Sequence, residues 1–152
     1  MVKIIILARR AEHIGISPID FFSLGHLFMG YITFLGFYGT ISLFFGISLN
    51  FFYLLGNIFI GIIWEAVENF ILYKLKFKFA QRRDSIINSL MDIIFFLFGG
   101  IIAMLIVLLE IYLFFIGTLL FLLNTLILLD IYALKILKPV IAIQKEKKLT
   151  SL

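Results

Sequence analysis

The stretch IINSLMDIIFFLFGGIIAMLIVL, residues 86–108, decides the fold. It exceeds the about 20 mostly apolar residues that carry a helix across a bilayer, and its one charged residue is Asp92. It does not stand alone. Of 152 residues, 63% are apolar and 14% charged, against about 45–50% and about 25% in soluble domains. A water-soluble core of this size cannot hide that much Phe, Ile and Leu. Disorder and a coiled coil fall with it, because no polar or heptad-rich tract is present. The chain has no cysteine, which excludes a disulfide scaffold, thiol chemistry and thiolate metal sites.

Working outward from this stretch, Asp84 or Ser85 caps it, and Lys74 to Arg83 forms a basic connector before it. A further apolar run, about 51–73, precedes the connector and is capped by Asn50. The first span covers about 18–38, with Ser17 as N-cap, Pro18 at the first helical position and Asp20 closing a capping-box-like pair. It breaks near Gly39, and Thr40 to Ser48 either extends it or lies at the interface. On the far side Glu110 marks a turn, a fourth span covers about 112–136, and a basic tail, 137–152, follows. The expectation is an all-α membrane protein, a single four-transmembrane-helix bundle. Gly25, Gly30, Gly36, Gly56, Gly61, Gly99 and Gly100 offer close helix contact. The apolar run of the N-terminus, Ile4 to Ala8, is too short for a secretory signal, so these residues are expected to stay.

Charge bias tests this division independently. The 13 Lys and Arg fall in three places: Lys3, Arg9 and Arg10; Lys74, Lys76, Lys78, Arg82 and Arg83; then Lys135, Lys138, Lys145, Lys147 and Lys148. With four spans all three share one side, and the opposite loops carry only Glu110. The positive-inside rule then gives an N-in/C-in protein of the cell membrane, both termini cytoplasmic. A three- or five-span count would leave the basic tail outside. The net charge of +4 is thus topological and faces anionic lipid, so membrane lipids are the expected partners and nucleic acid is not.

The informative residues are those that lipid should reject. At 1.5 Å per residue, His26 lies about 10 Å into span one, Glu65 about 12 Å and Glu68 about 8 Å into span two. Asp92 lies about 10 Å into span three and Asp130 about 9 Å into span four. Glu65, Glu68 and Asn69 follow i, i+3, i+4; Asp84, Asn88 and Asp92 follow i, i+4, i+8; Asp20, Ser23 and His26 step by three. Such stripes turn inward, because a charge at mid-helix costs about 2.5–3.5 kcal/mol even on the lenient insertion scale. The expected cluster is His26, Glu65, Glu68, Asn88 and Asp92, opening toward the cytoplasm. Asp20 and Asp84 read first as caps, Asp130 as close enough to the helix end to reach water, and Asn124 as interhelical glue.

Three acids, Glu65, Glu68 and Asp92, have no Lys or Arg within the spans to match them, Lys135 at the end of the fourth apart. Three outcomes are physically available. The carboxylates stay protonated, the form that burial favours. A divalent metal ion sits among Glu65, Glu68 and Asp92 with His26 as nitrogen ligand. Or Arg82 and Arg83 reach in from the connector. The first points to a small proton- or ion-coupled transporter and the second to a cation site or metal-assisted chemistry. The third points to an anionic headgroup site. A structural or assembly subunit, its cluster only fixing helix register, completes the alternatives. Four helices is small for a solitary transporter, so a homodimer is one expectation. No phosphate loop, G-x-S-x-G, H-E-x-x-H or paired cysteine ligand is present.

Three fragments in order carry a family likeness: Gly25-His26-Leu27-Phe28-Met29-Gly30, then Trp64-Glu65-x-x-Glu68, then Asp84-Ser85-Ile86-Ile87-Asn88-x-x-x-Asp92 ending at Gly99-Gly100. Together they resemble the VanZ-like and YjdF-like small integral membrane proteins over about Asp20 to Gly100. There the third motif reads D-T-x-x-D-x-x-x-N, so Asn88 and Asp92 stand where Asp and Asn are expected. The resemblance implies an intramembrane polar site that binds a cation, with a lipid headgroup beside it. Its most concrete enzymatic version is metal-assisted chemistry on a lipid-linked phosphate, with His26 as ligand or base.

Overall fold

A computed structural model describes residues 6–8, 10–45, 50–78, 81–109 and 111–138. Glu110, the basic residues Lys3 and Arg9, and all but the first two residues of the tail lie outside the described residues. Four helices dominate: α1 (Phe21–Phe37), α2 (Asn50–Ala66), α3 (Ile86–Leu108) and α4 (Ile111–Tyr132). Wider π turns prolong three of them, Tyr38–Ser42 after α1, Val67–Leu72 after α2 and Ala133–Leu137 after α4. Each of the four is long and apolar enough to cross a membrane. The protein is therefore an all-α, four-span membrane protein.

The start of α1 departs from the sequence reading. Asp20, not Ser17, is the N-cap: it is extended (φ −139°, ψ −168°), and its carboxylate accepts from the Phe22 and Ser23 amides. The Ser23 hydroxyl accepts from the Asp20 amide in return, at 3.2 Å. Residues 17–19 cannot join the helix because their backbone is committed elsewhere. The Ile19 amide donates to the Ile6 carbonyl at 3.0 Å, and the Ala8 amide donates to the Ile19 carbonyl at 2.8 Å. The other end is also different. The chain does not break at Gly39 but continues helically to Phe45, since a break inside hydrocarbon would leave backbone groups without partners.

Helix α2 ends past its π turn in a Schellman motif, in which Phe77 N–H reaches the Leu72 carbonyl and Lys76 N–H the Tyr73 carbonyl. Lys76 takes the left-handed conformation there, φ 59°, where glycine is usual. Ser85 caps α3 as one of the two expected residues, its side chain accepting from the Asn88 amide. Asn50 is the first described residue of α2, and its Oδ1 accepts no hydrogen bond, so it is not the expected cap.

Helices α1 and α3 cross at two glycines. A Cβ on Gly30 would overlap the Phe96 carbonyl, and one on Gly99 would overlap the Leu27 carbonyl. Gly100 fits against Asn57, and Gly61 against the Phe96 ring, so α2 closes on the same crossing. Gly25 and Gly36, expected at contacts, face open space. Tyr31, Phe34, Tyr53 and Ala103 form the apolar core above the crossing. Helix α4 joins it from outside: Phe121 stacks on Tyr31 with ring centroids 4.1 Å apart, and the Tyr31 hydroxyl donates to Thr118 at 2.7 Å. Leu119, Leu123 and Ile127 on α4, like Phe59 and Ile62 on α2, remain exposed, as lipid-facing side chains do.

Candidate functional site

The site forms where α1, α2 and α3 meet, one turn below the glycine crossing. His26 on α1, Glu65 on α2 and Asp92 on α3 are 2%, 5% and 1% exposed. One ligand atom from each lies within 4.8 Å of the others. This is the central part of the cluster expected from the spacings.

Each of the three side chains is held by a neighbour. His26 Nδ1 sits 2.7 Å from the Phe22 carbonyl. A carbonyl only accepts, so Nδ1 carries the proton, and in a neutral ring Nε2 presents a lone pair. Ser23 Oγ donates to Asp92 Oδ1 at 2.5 Å. Asn69 Nδ2 donates to Glu65 Oε2 at 3.1 Å. That leaves His26 Nε2 and Glu65 Oε1, 3.1 Å apart, both buried and neither making a hydrogen bond. Two buried acceptors facing each other need a positive charge or a proton between them.

Glu68 sits at the edge of this group. Its Oε1 accepts from Trp64 Nε1 at 2.6 Å and lies 3.7 Å from His26 Nε2, while Oε2 lies 3.8 Å from Lys78 Nζ. It is not among the three residues whose ligand atoms converge. Lys78 is the cation that enters from the connector, where one of the three available outcomes had Arg82 and Arg83. It pairs with Asp84 and donates to Asn69 Oδ1 at 3.0 Å. Burial pushes the Asp84 carboxyl above the usual carboxylate range, and Lys78 offsets part of that shift. Arg82 instead donates to the carbonyls of Glu12 and Ile14. Arg83 lies over the rings of Phe70 and Tyr73, 5.3 Å from each centroid.

Other expected members lie elsewhere. Asn88 is buried, but one helical turn from Asp92 toward the connector, where Nδ2 donates to the Ser17 carbonyl at 2.9 Å and to Asp20 Oδ2 at 3.3 Å. Asp20 also accepts from the Gly15 amide at 2.7 Å. Asp20 and Asn88 thus bind the N-terminal segment to the bundle, as Ser85 does through its amide to the Gly15 carbonyl at 2.7 Å. This segment packs against the connector end of α1 and α3, and the groove lined by Glu65 lies between α2 and α3. Asp130 is exposed on α4 and stays out of the cluster. Among the described residues Asn124 bonds within its own helix, to the Leu120 carbonyl at 2.7 Å, rather than bridging to another.

Sequence reasoning missed Lys78 and the orienting roles of Ser23 and Asn69. A signal existed: three buried acids call for a base, and the connector is the nearest supply. No family model matches the chain, and neither a curated protein nor a solved structure matches it. The VanZ-like resemblance draws no support from these comparisons and rests on its three fragments.

Proposed function

We propose that this membrane protein binds one divalent cation between His26, Glu65 and Asp92. The observation that carries the reading is the facing pair of buried acceptors, His26 Nε2 and Glu65 Oε1, without a hydrogen bond between them. Support comes from the surrounding shell. Metal-ligating histidines donate their second N–H to an oxygen, and ligating carboxylates are themselves hydrogen-bonded. Phe22, Ser23 and Asn69 supply those partners. One imidazole and two carboxylates suit Zn²⁺ or Mn²⁺ better than Ca²⁺, which takes about 6–8 oxygen ligands. Three protein ligands leave coordination positions free for water or a phosphate oxygen.

Elemental analysis of the detergent-purified protein tests this, wild type beside Glu65→Gln/Asp92→Asn. The expected result is close to one metal ion per chain in the first and none in a folded second. Absence of metal from both, after incubation with Zn²⁺ and Mn²⁺, removes the proposal.

A second reading has its own observation. Lys78, Glu68, His26 and Asp92 form a succession of titratable groups with spacings of 3.8, 3.7 and 4.0 Å, running inward from the connector. Such a succession suits a proton-coupled carrier. It requires pH-dependent flux in liposomes that Glu68→Gln abolishes, and no tightly held metal.

A further inference from the structure

The groove between α2 and α3 has a volume of about 480 Å³, within the about 300–1,000 Å³ of small-molecule sites. Ile62, Leu90 and Ile93 supply apolar wall, Glu65 and Asn69 the polar part, and Arg83 lies at the connector end. Ile62 and Leu90 are half exposed, so on a membrane-spanning pair of helices the groove opens to lipid. From Ile86 to Ile93 it extends about 10 Å along α3. That carries it from the headgroup layer into hydrocarbon, since headgroups add about 5–8 Å per side.

Charge decides the occupant. Asp84, also in the lining, is answered by Lys78. Arg83 is exposed, rests only on aromatic faces, and makes no ion pair with a carboxylate among the described residues. The groove therefore offers an uncompensated guanidinium at the water level, hydrocarbon walls below it, and the outer face of Glu65 between them. We propose that it holds one anionic phospholipid taken sideways from the bilayer, with its phosphate on Arg83 and an acyl chain along Ile62, Leu90 and Ile93. Guanidinium matches phosphate in bidentate geometry. The inference rests on the cation-site reading in one respect: it names the molecule that this site receives, brought through the wall that Glu65 shares with the groove.

The test is native mass spectrometry of the full chain released from micelles doped with phosphatidylglycerol or phosphatidylcholine. Glycerol 3-phosphate is the chain-free competitor, and metal content is measured on the same samples. Wild type is expected to retain one phosphatidylglycerol in preference to phosphatidylcholine, undisturbed by glycerol 3-phosphate. Arg83→Gln, at an exposed position, weakens retention about tenfold, the scale of one charge-assisted hydrogen bond. Leu90→Trp fills the groove and removes retention, and both variants keep the wild-type metal content. Equal phosphatidylglycerol retention in wild type and both variants, or displacement by glycerol 3-phosphate, overturns the inference. Groove-dependent retention in a wild type that holds no metal overturns the cation reading and leaves the lipid site standing.

Discussion

Removing the Lys78 ammonium strands two carboxylates, Asp84 and Glu68, that are 8% and 16% exposed. Breaking a fully buried pair costs about 3–5 kcal/mol. Lys78 keeps 11% of its side chain in contact with solvent, so Lys78→Met is expected to cost about 2 kcal/mol, and Lys78→Met/Asp84→Asn to recover part of it. Thermal unfolding of the four members of that cycle in one detergent checks both. Its partner Asp84 sets a pH dependence. Because burial raises the Asp84 carboxyl above 3.8, the folded protein holds that proton to higher pH than the unfolded chain does. Stability from this group is present below the ordinary value and is lost as pH rises through the raised one. The wild-type melting temperature therefore carries a component that declines as pH rises above the ordinary carboxylate value, and Asp84→Asn lacks it. Within the cluster, Ser23→Ala removes the donor that fixes Asp92 and is expected to weaken metal binding about 10–100-fold with the fold intact. Chelator competition reads it. His26, Glu65 and Asp92 were legible in the sequence because helical spacing assigns each to a face and lipid rejects the outward option. Lys78 was not, because a connector has no period from which to read its path.

Between helices the decisive contacts are backbone against backbone. Gly30→Ala is expected to prevent the α1–α3 crossing, since the new methyl meets the Phe96 carbonyl, which no rotamer change can move. Gly36→Ala meets nothing and is expected to leave stability unchanged or raise it by up to about 1 kcal/mol, the ordinary helical advantage of alanine. A protein that tolerates both equally contradicts this crossing. Lys76→Gly relieves the left-handed position closing α2 and is expected to add about 1 kcal/mol in the same assay. The four spans could be read from apolar length together with Glu110 and the charge bias. The start of α1 could not, because it depends on Ile19 pairing with residues 6–8, a contact that local propensity does not encode. Asp130 was read as close enough to the helix end to reach water, and it is exposed; its direction could not be read, because α4 is apolar on nearly every side and carries no stripe.

For the whole molecule, basic residues gathered at the loops of one end predict sidedness, and the absence of cysteine makes the test clean. Arg10→Cys and Lys74→Cys are expected to react with an impermeant maleimide only from the cytoplasmic side of sealed vesicles. Leu109→Cys, half exposed in the turn after α3, reacts only from the other. Labelling of all three from one side contradicts the four-span reading. The division of labour among the helices follows from this frame. Among the described residues, helices α1 to α3 supply the converging His26, Glu65 and Asp92, and α4 supplies a brace, the Phe121 ring and the Thr118 hydroxyl against Tyr31.

The π turn Val67–Leu72 places Glu68 and Asn69 just beyond Glu65. A π turn is an α-helix that has absorbed one surplus residue, so the segment is equivalent to a single-codon insertion confined by its surroundings. Deleting Val67 would restore an ordinary helix without shortening the span by more than about 1.5 Å. The spacings from Trp64 to Glu68 and from Glu65 to Asn69 would each fall from four residues to three, so Trp64's partner and the Asn69 amide would lose their present places at the site together. At this turn reading length and binding geometry are therefore the same quantity.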